Sequence, residues 1–230
     1  MHPELLHLGR FTIHSYGAFA AAGLLASFVF CLQWAKGQDL GTEDVLGSGL
    51  LMVFGGVFVA RLIQVSMHWS QYLHHYVDIL KIWQSGMLFT GGLVGGLLAL
   101  GLYSQLRGLS YWRIGDLWAP AAALGQAIGR IGYLLDPTHL YSVLAEGVIF
   151  SILIWLEKRK TFEGQILLWY LILESNARLL VERYKGVHRG QFLGTEMNIT
   201  QFLATVLLVC AVVTLLIKSH KSKGKTKDHA

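Results

Sequence analysis

The chain has 230 residues, 53% of them hydrophobic and only 14% charged, with a net charge of +5 and a mean hydropathy of +0.48. A soluble domain carries roughly 25% charged residues, so this chain has too few to wet its surface. Its length leaves no room for a sizeable soluble domain beside a membrane bundle. The two cysteines, Cys31 and Cys210, make neither a disulfide framework nor a metal spacing, and both read as small buried apolar residues.

The apolar residues fall in runs long enough to cross a hydrocarbon core of roughly 30 Å. The segment from His2 to Arg10 is short and mixed, and the run that follows has no cleavage signature, so it reads as a first retained span. In chain order the predicted spans are Ile13–Ala35, Val45–Val65, Met87–Leu106, Leu117–Leu135, Leu140–Leu156, Gln165–Glu182 and Ile199–Ile217. The sixth is the most interrupted, by Glu174, Asn176, Arg178 and Glu182. The fold class is therefore all-α, a polytopic membrane protein of about seven transmembrane helices. Residues 1–217 form a single bundle and 218–230 a basic tail.

Basic residues orient the bundle, because they concentrate on cytoplasmic segments. With the N-terminus outside, eleven fall on inner segments and five on outer ones, while Arg61, Arg130 and Arg178 lie within spans. The expected topology is N-terminus outside and C-terminus cytoplasmic. The tail reads as an ordinary stop-transfer flank, with some attraction for anionic lipid.

An arginine at the centre of a spanning helix costs about 2.5–3.5 kcal/mol on insertion scales, and such residues usually have a task. Spans two, four and six all run outward, and Arg61, Arg130 and Arg178 each sit a few residues before the outer end. Three cations on three helices are thus expected at one depth, just beneath the outer headgroups. His14, Ser15 and Tyr16 open span one at that level. Thr90, Gly91 and Gly92 open span three; Asp136, His139 and Tyr141 form the turn between spans four and five, with Glu146 about two turns inward. Glu174, Arg178 and Glu182 share one helical face. Arginine stays protonated and presents a planar fork that suits phosphate, so the cluster points to a phosphate-bearing lipid of the outer leaflet. The opposing reading has each arginine snorkelling or paired with Glu146, Glu174 or Glu182.

The repeat Gly91-Gly92-Leu93-Val94-Gly95-Gly96, and the pair Gly125 and Gly129, have small-xxx-small spacing. Tight helix packing and a loop closing on a headgroup both account for it. Outer glycines are expected at the site and later ones at helix contacts. Tyr111, Trp112, Trp118, Trp155, Trp169 and Tyr170 read mostly as interfacial anchors.

These pieces together resemble the prolipoprotein diacylglyceryl transferase family. The resemblance rests on His14-Ser15-Tyr16-Gly17; Gly86-Met87-Leu88-Phe89-Thr90-Gly91-Gly92-Leu93; Asp116 with Ala119-Pro120; Gly129-Arg130-Ile131-Gly132; Leu140-Tyr141 with Glu146-Gly147; Arg178-Leu179-Leu180-Val181-Glu182; and Gln201. They occur in family order along almost the whole chain. The resemblance implies transfer of the diacylglyceryl group of phosphatidylglycerol to a cysteine of a prolipoprotein, with release of glycerol phosphate. It implies a multi-pass protein of the bacterial cytoplasmic (inner) membrane, with no cofactor, no metal and no nucleic-acid partner. Arg130 and Arg178 match the family's principal arginines, Arg61 an arginine at the outer end of the second span, and Tyr16 and Glu182 polar partners in the site. Thr90, Gly91, Gly92, Tyr141 and Glu146 would support them.

The departures touch the chemistry. Thr90 stands where the family usually has histidine, Tyr133 where it has asparagine, Glu174 where it usually has tyrosine, and Ser142 where it often has glutamate. Only Asp136-Pro137-Thr138-His139 links spans four and five, where the family inserts a periplasmic head. A thiol with pKa about 8.5 must lose its proton to attack well, and threonine is no base for it. His14, His139, Asp136 and Glu174 are the candidate replacement bases. A prolipoprotein cysteine is the default acceptor, and a hydroxyl on another envelope component is its rival. The alternative function is a catalytically inactive phospholipid-binding or assembly factor. A solute transporter fits less well, since the ionisable residues crowd one end rather than the midplane.

Overall fold

A computed structural model describes residues 4–8, 11–38, 40–67, 69–72, 89–132, 137–185 and 198–227. Strands β1 (Glu4–Leu8) and β2 (Phe11–His14) pair antiparallel ahead of the helices. Then follow α1 (Ser15–Ala35), α2 (Thr42–Met67), the one-turn α3 (Trp69–Tyr72), α4 (Phe89–Arg107), α5 (Tyr111–Ile131), α6 (Pro137–Glu157), α7 (Gln165–Lys185) and α8 (Ile199–Lys227). The seven long helices are the seven predicted spans, in an all-α bundle.

Three boundaries differ from the sequence reading. Phe11–His14 is strand rather than the start of the first span, because its backbone pairs with Glu4–Leu8. α5 starts six residues before the predicted Leu117. Ser110 caps it, its side chain accepting from the Arg113 N–H, which satisfies one of the donors a helix start leaves open. α8 continues ten residues past Ile217, so the described part of the basic tail extends that helix. Residue type also misled at two positions. Cys210 is exposed, unlike buried Cys31. Trp118 is buried and donates to Ser48 Oγ at 3.0 Å rather than anchoring at an interface.

Among the described residues, α1, α2, α6 and α8 contain stretches long and apolar enough to cross a membrane. They present large apolar side chains outward, including Leu25, Phe54, Phe58, Val148 and Leu216, a surface that suits lipid rather than water. The other long helices are more polar: α5 carries Arg113, Asp116 and Arg130, and α7 carries Glu174 and Arg178. α5 is the hub, packed against α1, α6 and α7. Polar residues that a perimeter helix would expose to lipid are covered there.

Small residues set the closest approaches. A Cβ on Gly23 would stand 2.3 Å from the Gly125 carbonyl, and one on Gly95 would stand 2.4 Å from the Gly55 carbonyl. α1 against α5 and α2 against α4 are therefore backbone-to-backbone contacts of the small-residue kind. Gly92 also faces α2, at Gly56, so the first glycine pair of α4 serves helix packing at that position.

One buried carboxylate fixes α7 against α5. Asp116 Oδ2 accepts from the Gly164 N–H at 2.6 Å and Oδ1 from the Leu167 N–H at 2.8 Å, while Lys160 Nζ lies 2.9 Å from Oδ2. Gly164 has φ +93°, which glycine adopts without the penalty of a Cβ. The carboxylate thus caps the start of α7 from a neighbouring helix and meets the positive end of its dipole. Fourteen residues separate Asp116 from Arg130, and fourteen separate Gly164 from Arg178. At 1.5 Å per residue the helices climb about 21 Å from the latch. The two arginines therefore arrive at one depth.

Candidate active site

Arg130, in the last turn of α5, is the centre of the arginine cluster. Its Nη1 lies 2.7 Å from Glu146 Oε1 of α6, and its Nη2 lies 3.5 Å from Glu174 Oε1 of α7. Glu174 Oε1 also accepts from Arg178 Nε at 2.9 Å, one helical turn on. Arg130 further donates to the Ser142 carbonyl at 3.4 Å and to Gln126 Oε1 at 3.3 Å. The amide of Gln126 in turn donates to the hydroxyl of Tyr170. Three helices thus hold one guanidinium through four groups.

The layers of this cluster differ in exposure. The side chains of Glu146 and Glu174 are 0% and 1% exposed, whereas those of Arg130 and Arg178 are 16% and 24% exposed. Carboxylates form the floor and guanidinium groups the mouth. A cavity of about 20 Å³ lies against Arg130, Ser142, Ala145, Glu174, Arg178 and their neighbours, room for one water by the usual measure. Glu146 and Glu174 also approach each other. Each is acceptor-only when ionised, and neither Oε2 has a hydrogen-bond partner among the described residues.

Arg130, Arg178, Glu146 and Glu174 are therefore brought together as the sequence reading expects. Arg61 is buried in α2, where Nη1 donates to Gln64 Oε1 at 3.1 Å and the guanidinium lies over the Tyr72 ring; it is not among the residues lining the cavity. Thr90 is buried, with Oγ1 lacking a hydrogen bond among the described residues, and it does not line the cavity either. Gly91 is buried beside it. Tyr141 is 74% exposed and does not line the cavity, whereas its neighbour Ser142 does. For His14, Tyr16, His139 and Glu182 only the backbone is described, and Asp136 lies outside the described residues.

Two members of the network escaped the sequence reading. Tyr170 is fully buried, a correction to its reading as an interfacial aromatic. Gln126 drew no attention at all. Both stood at a legible spacing: Gln126 is one turn before Arg130, and Tyr170 one turn before Glu174 on the face that carries Arg178. Local periodicity gave the face, but only the packing of α5 on α7 joined the two faces.

The sequence model of the prolipoprotein diacylglyceryl transferase family matches residues 3–136 and 133–217, most of the chain. The chain belongs to this family. It is a diacylglyceryl transferase, and the reading as an inactive binding factor is not favoured. A phosphatidylglycerol–prolipoprotein diacylglyceryl transferase of Geobacillus kaustophilus is 27% identical over 256 aligned positions, covering 96% of this chain and 94% of the relative. Relatives of the same name from Streptococcus equi subsp. zooepidemicus and Clostridioides difficile are 27% and 24% identical, the first covering 97% of both chains and the second 93% and 94%. The alignment with the Geobacillus protein is longer than this chain's 230 residues, so that relative carries segments this transferase lacks. The family match divides at residues 133–136, between α5 and α6.

Proposed function

We propose that this transferase moves the diacylglyceryl group of phosphatidylglycerol to a cysteine of a prolipoprotein and releases glycerol phosphate. It works as a multi-pass protein of the bacterial cytoplasmic membrane, with its N-terminus and its active site at the outer face. The observation that carries the reading is the convergence of Arg130 and Arg178 on one buried carboxylate, Glu174, beside a common cavity. The relatives' names supply the lipid and the acceptor.

In this reading Arg130 and Arg178 grip the phosphate and stabilise the charge that develops on the departing glycerol phosphate. Donors fixed in place before the reaction achieve this without reorganisation. Arg130 is pre-positioned by Gln126 and the Ser142 carbonyl. Glu174 takes the proton of the acceptor thiol, the task for which Thr90 is unsuited. Among the candidate bases it is the one whose side chain is described, and it lies in the cluster; His14, His139 and Asp136 are the alternatives to be tested by substitution.

The test is turnover of labelled phosphatidylglycerol by the reconstituted protein, with and without a cysteine-bearing lipoprotein precursor. Release of glycerol phosphate should require the precursor and fall on the order of 10²–10³-fold in Arg130→Ala, as for loss of one oxyanion donor. Unchanged release in both Arg130→Ala and Arg178→Ala would remove the arginines from the reaction. Transfer to a serine-bearing precursor at the same rate would replace the thiol by a hydroxyl.

A further inference from the structure

The arginine cluster is not an open cationic pocket. Two guanidinium groups face two carboxylates, so the four side chains carry no net charge when all are ionised. A phosphodiester that enters must share the arginines with Glu146 and Glu174. The carboxylates cannot leave for water, because both are buried on the floor of the site. They can, however, be neutralised where they stand. Each Oε2 lacks a hydrogen bond among the described residues, and the two carboxyl groups approach each other. One added proton would turn that contact between acceptors into an O–H···O hydrogen bond.

We infer that the Glu146–Glu174 pair stores the proton of the attacking thiol, and that filling this store hands the arginines over to the departing phosphate. The inference rests on the reading of Arg130 and Arg178 as the phosphate clamp. Atoms and charges balance within the site. Sulfur bonds to the glyceryl carbon as the bond from that carbon to the phosphate oxygen breaks, and the electron pair stays on oxygen. The thiol proton passes to the carboxyl pair. The phosphate goes from a diester with one negative charge to a monoester that carries close to two at neutral pH. One negative charge therefore disappears from the floor as one appears at the mouth, and the net charge in the membrane is constant. Such a clamp holds the diester weakly and tightens as the transition state forms, which is the differential binding that accelerates a reaction.

The described charged and titratable groups around the pair are Arg130 from α5, Glu146 from α6, and Glu174, Arg178 and Tyr170 from α7. Tyr170 receives its hydrogen bond from Gln126. The two carboxyl groups are left as the proton acceptors.

Glycerol phosphate itself is the probe. Its binding to the full-length protein in detergent is measured by calorimetry in buffers of different ionisation enthalpy, at about pH 7.5–8.5, where the phosphate is already the dianion. The expected result is uptake of about one proton per ligand, with affinity weakening about tenfold per unit rise in pH. Glu174→Gln should abolish the uptake and the pH dependence while keeping or tightening the binding, and Glu146→Gln should do the same. Binding without proton uptake by the unaltered protein overturns the proton store and leaves the clamp intact. So does a large loss of affinity in folded Glu174→Gln. No binding by the unaltered protein, or binding indifferent to Arg130→Ala, overturns the clamp itself. Should either glutamine variant fail to fold, the proton count of the unaltered protein still decides.

Discussion

The two ends of the bundle bury carboxylates, Asp116 of α5 at one and Glu146 of α6 and Glu174 of α7 at the other, and treat them differently. At one end Asp116 has both oxygens occupied, by two backbone N–H groups of the α7 start and by Lys160. At the other Glu146 and Glu174 share the arginines but keep an oxygen each without a hydrogen bond among the described residues. A buried ionised group whose partners are complete holds two helices in register; one whose partners are incomplete has capacity left for a proton or a ligand. The Asp116 end is also sealed by apolar packing of Cys31, Val45, Leu100, Ile114 and Trp118. The arginine end has a cavity at its charges. The rigid end sets the depth of the reactive one.

This contrast can be broken from either side. The largest effect is expected at the latch. Asp116→Ala strands Lys160 and the N–H groups of Gly164 and Leu167, and removal of one partner of a buried pair costs about 3–5 kcal/mol. Thermal unfolding in detergent should show the loss, and residual activity should fall because Arg178 no longer arrives level with Arg130. An unfolding temperature equal to that of the unaltered protein would dissolve the claimed division of labour. Gln126→Leu tests the arginine end alone. It deletes a hydrogen bond to a charged group, worth about 1.5–3 kcal/mol, so turnover should drop roughly tenfold or more while Gln126→Glu restores part of it. A drop confined to KM would place Gln126 in lipid binding rather than in the orientation of Arg130 at the transition state. Trp118→Phe is the smallest expected effect. It removes the bond to Ser48 and should cost about 1 kcal/mol of stability with turnover per folded molecule unchanged. A change in turnover there would mean that the ends are coupled.

Much of this was legible along the chain. The seven spans and the placement of Arg130 and Arg178 toward the C-terminal ends of their helices follow from hydropathy and charge, which are local properties of sequence. The pairing of Glu4–Leu8 with Phe11–His14 was missed because strand pairing depends on a partner that hydropathy does not register. Arg61 shares the same apolar flanks as the other two arginines, yet it belongs to α2, which packs chiefly on α4. Equal depth in a sequence does not give equal azimuth in a bundle.

Sequence by itself determined that the chain must live in lipid, how many long helices it forms and which family it joins, because these depend on composition and on the order of motifs. Tertiary structure decided that two arginines rather than three meet at the cavity, that Gln126, itself bonded to Tyr170, holds Arg130, and that two buried carboxyl groups face the arginines. Those facts depend on how α5, α6 and α7 rotate about their own axes. Side-chain packing across helices fixes that rotation, and no single helix encodes it.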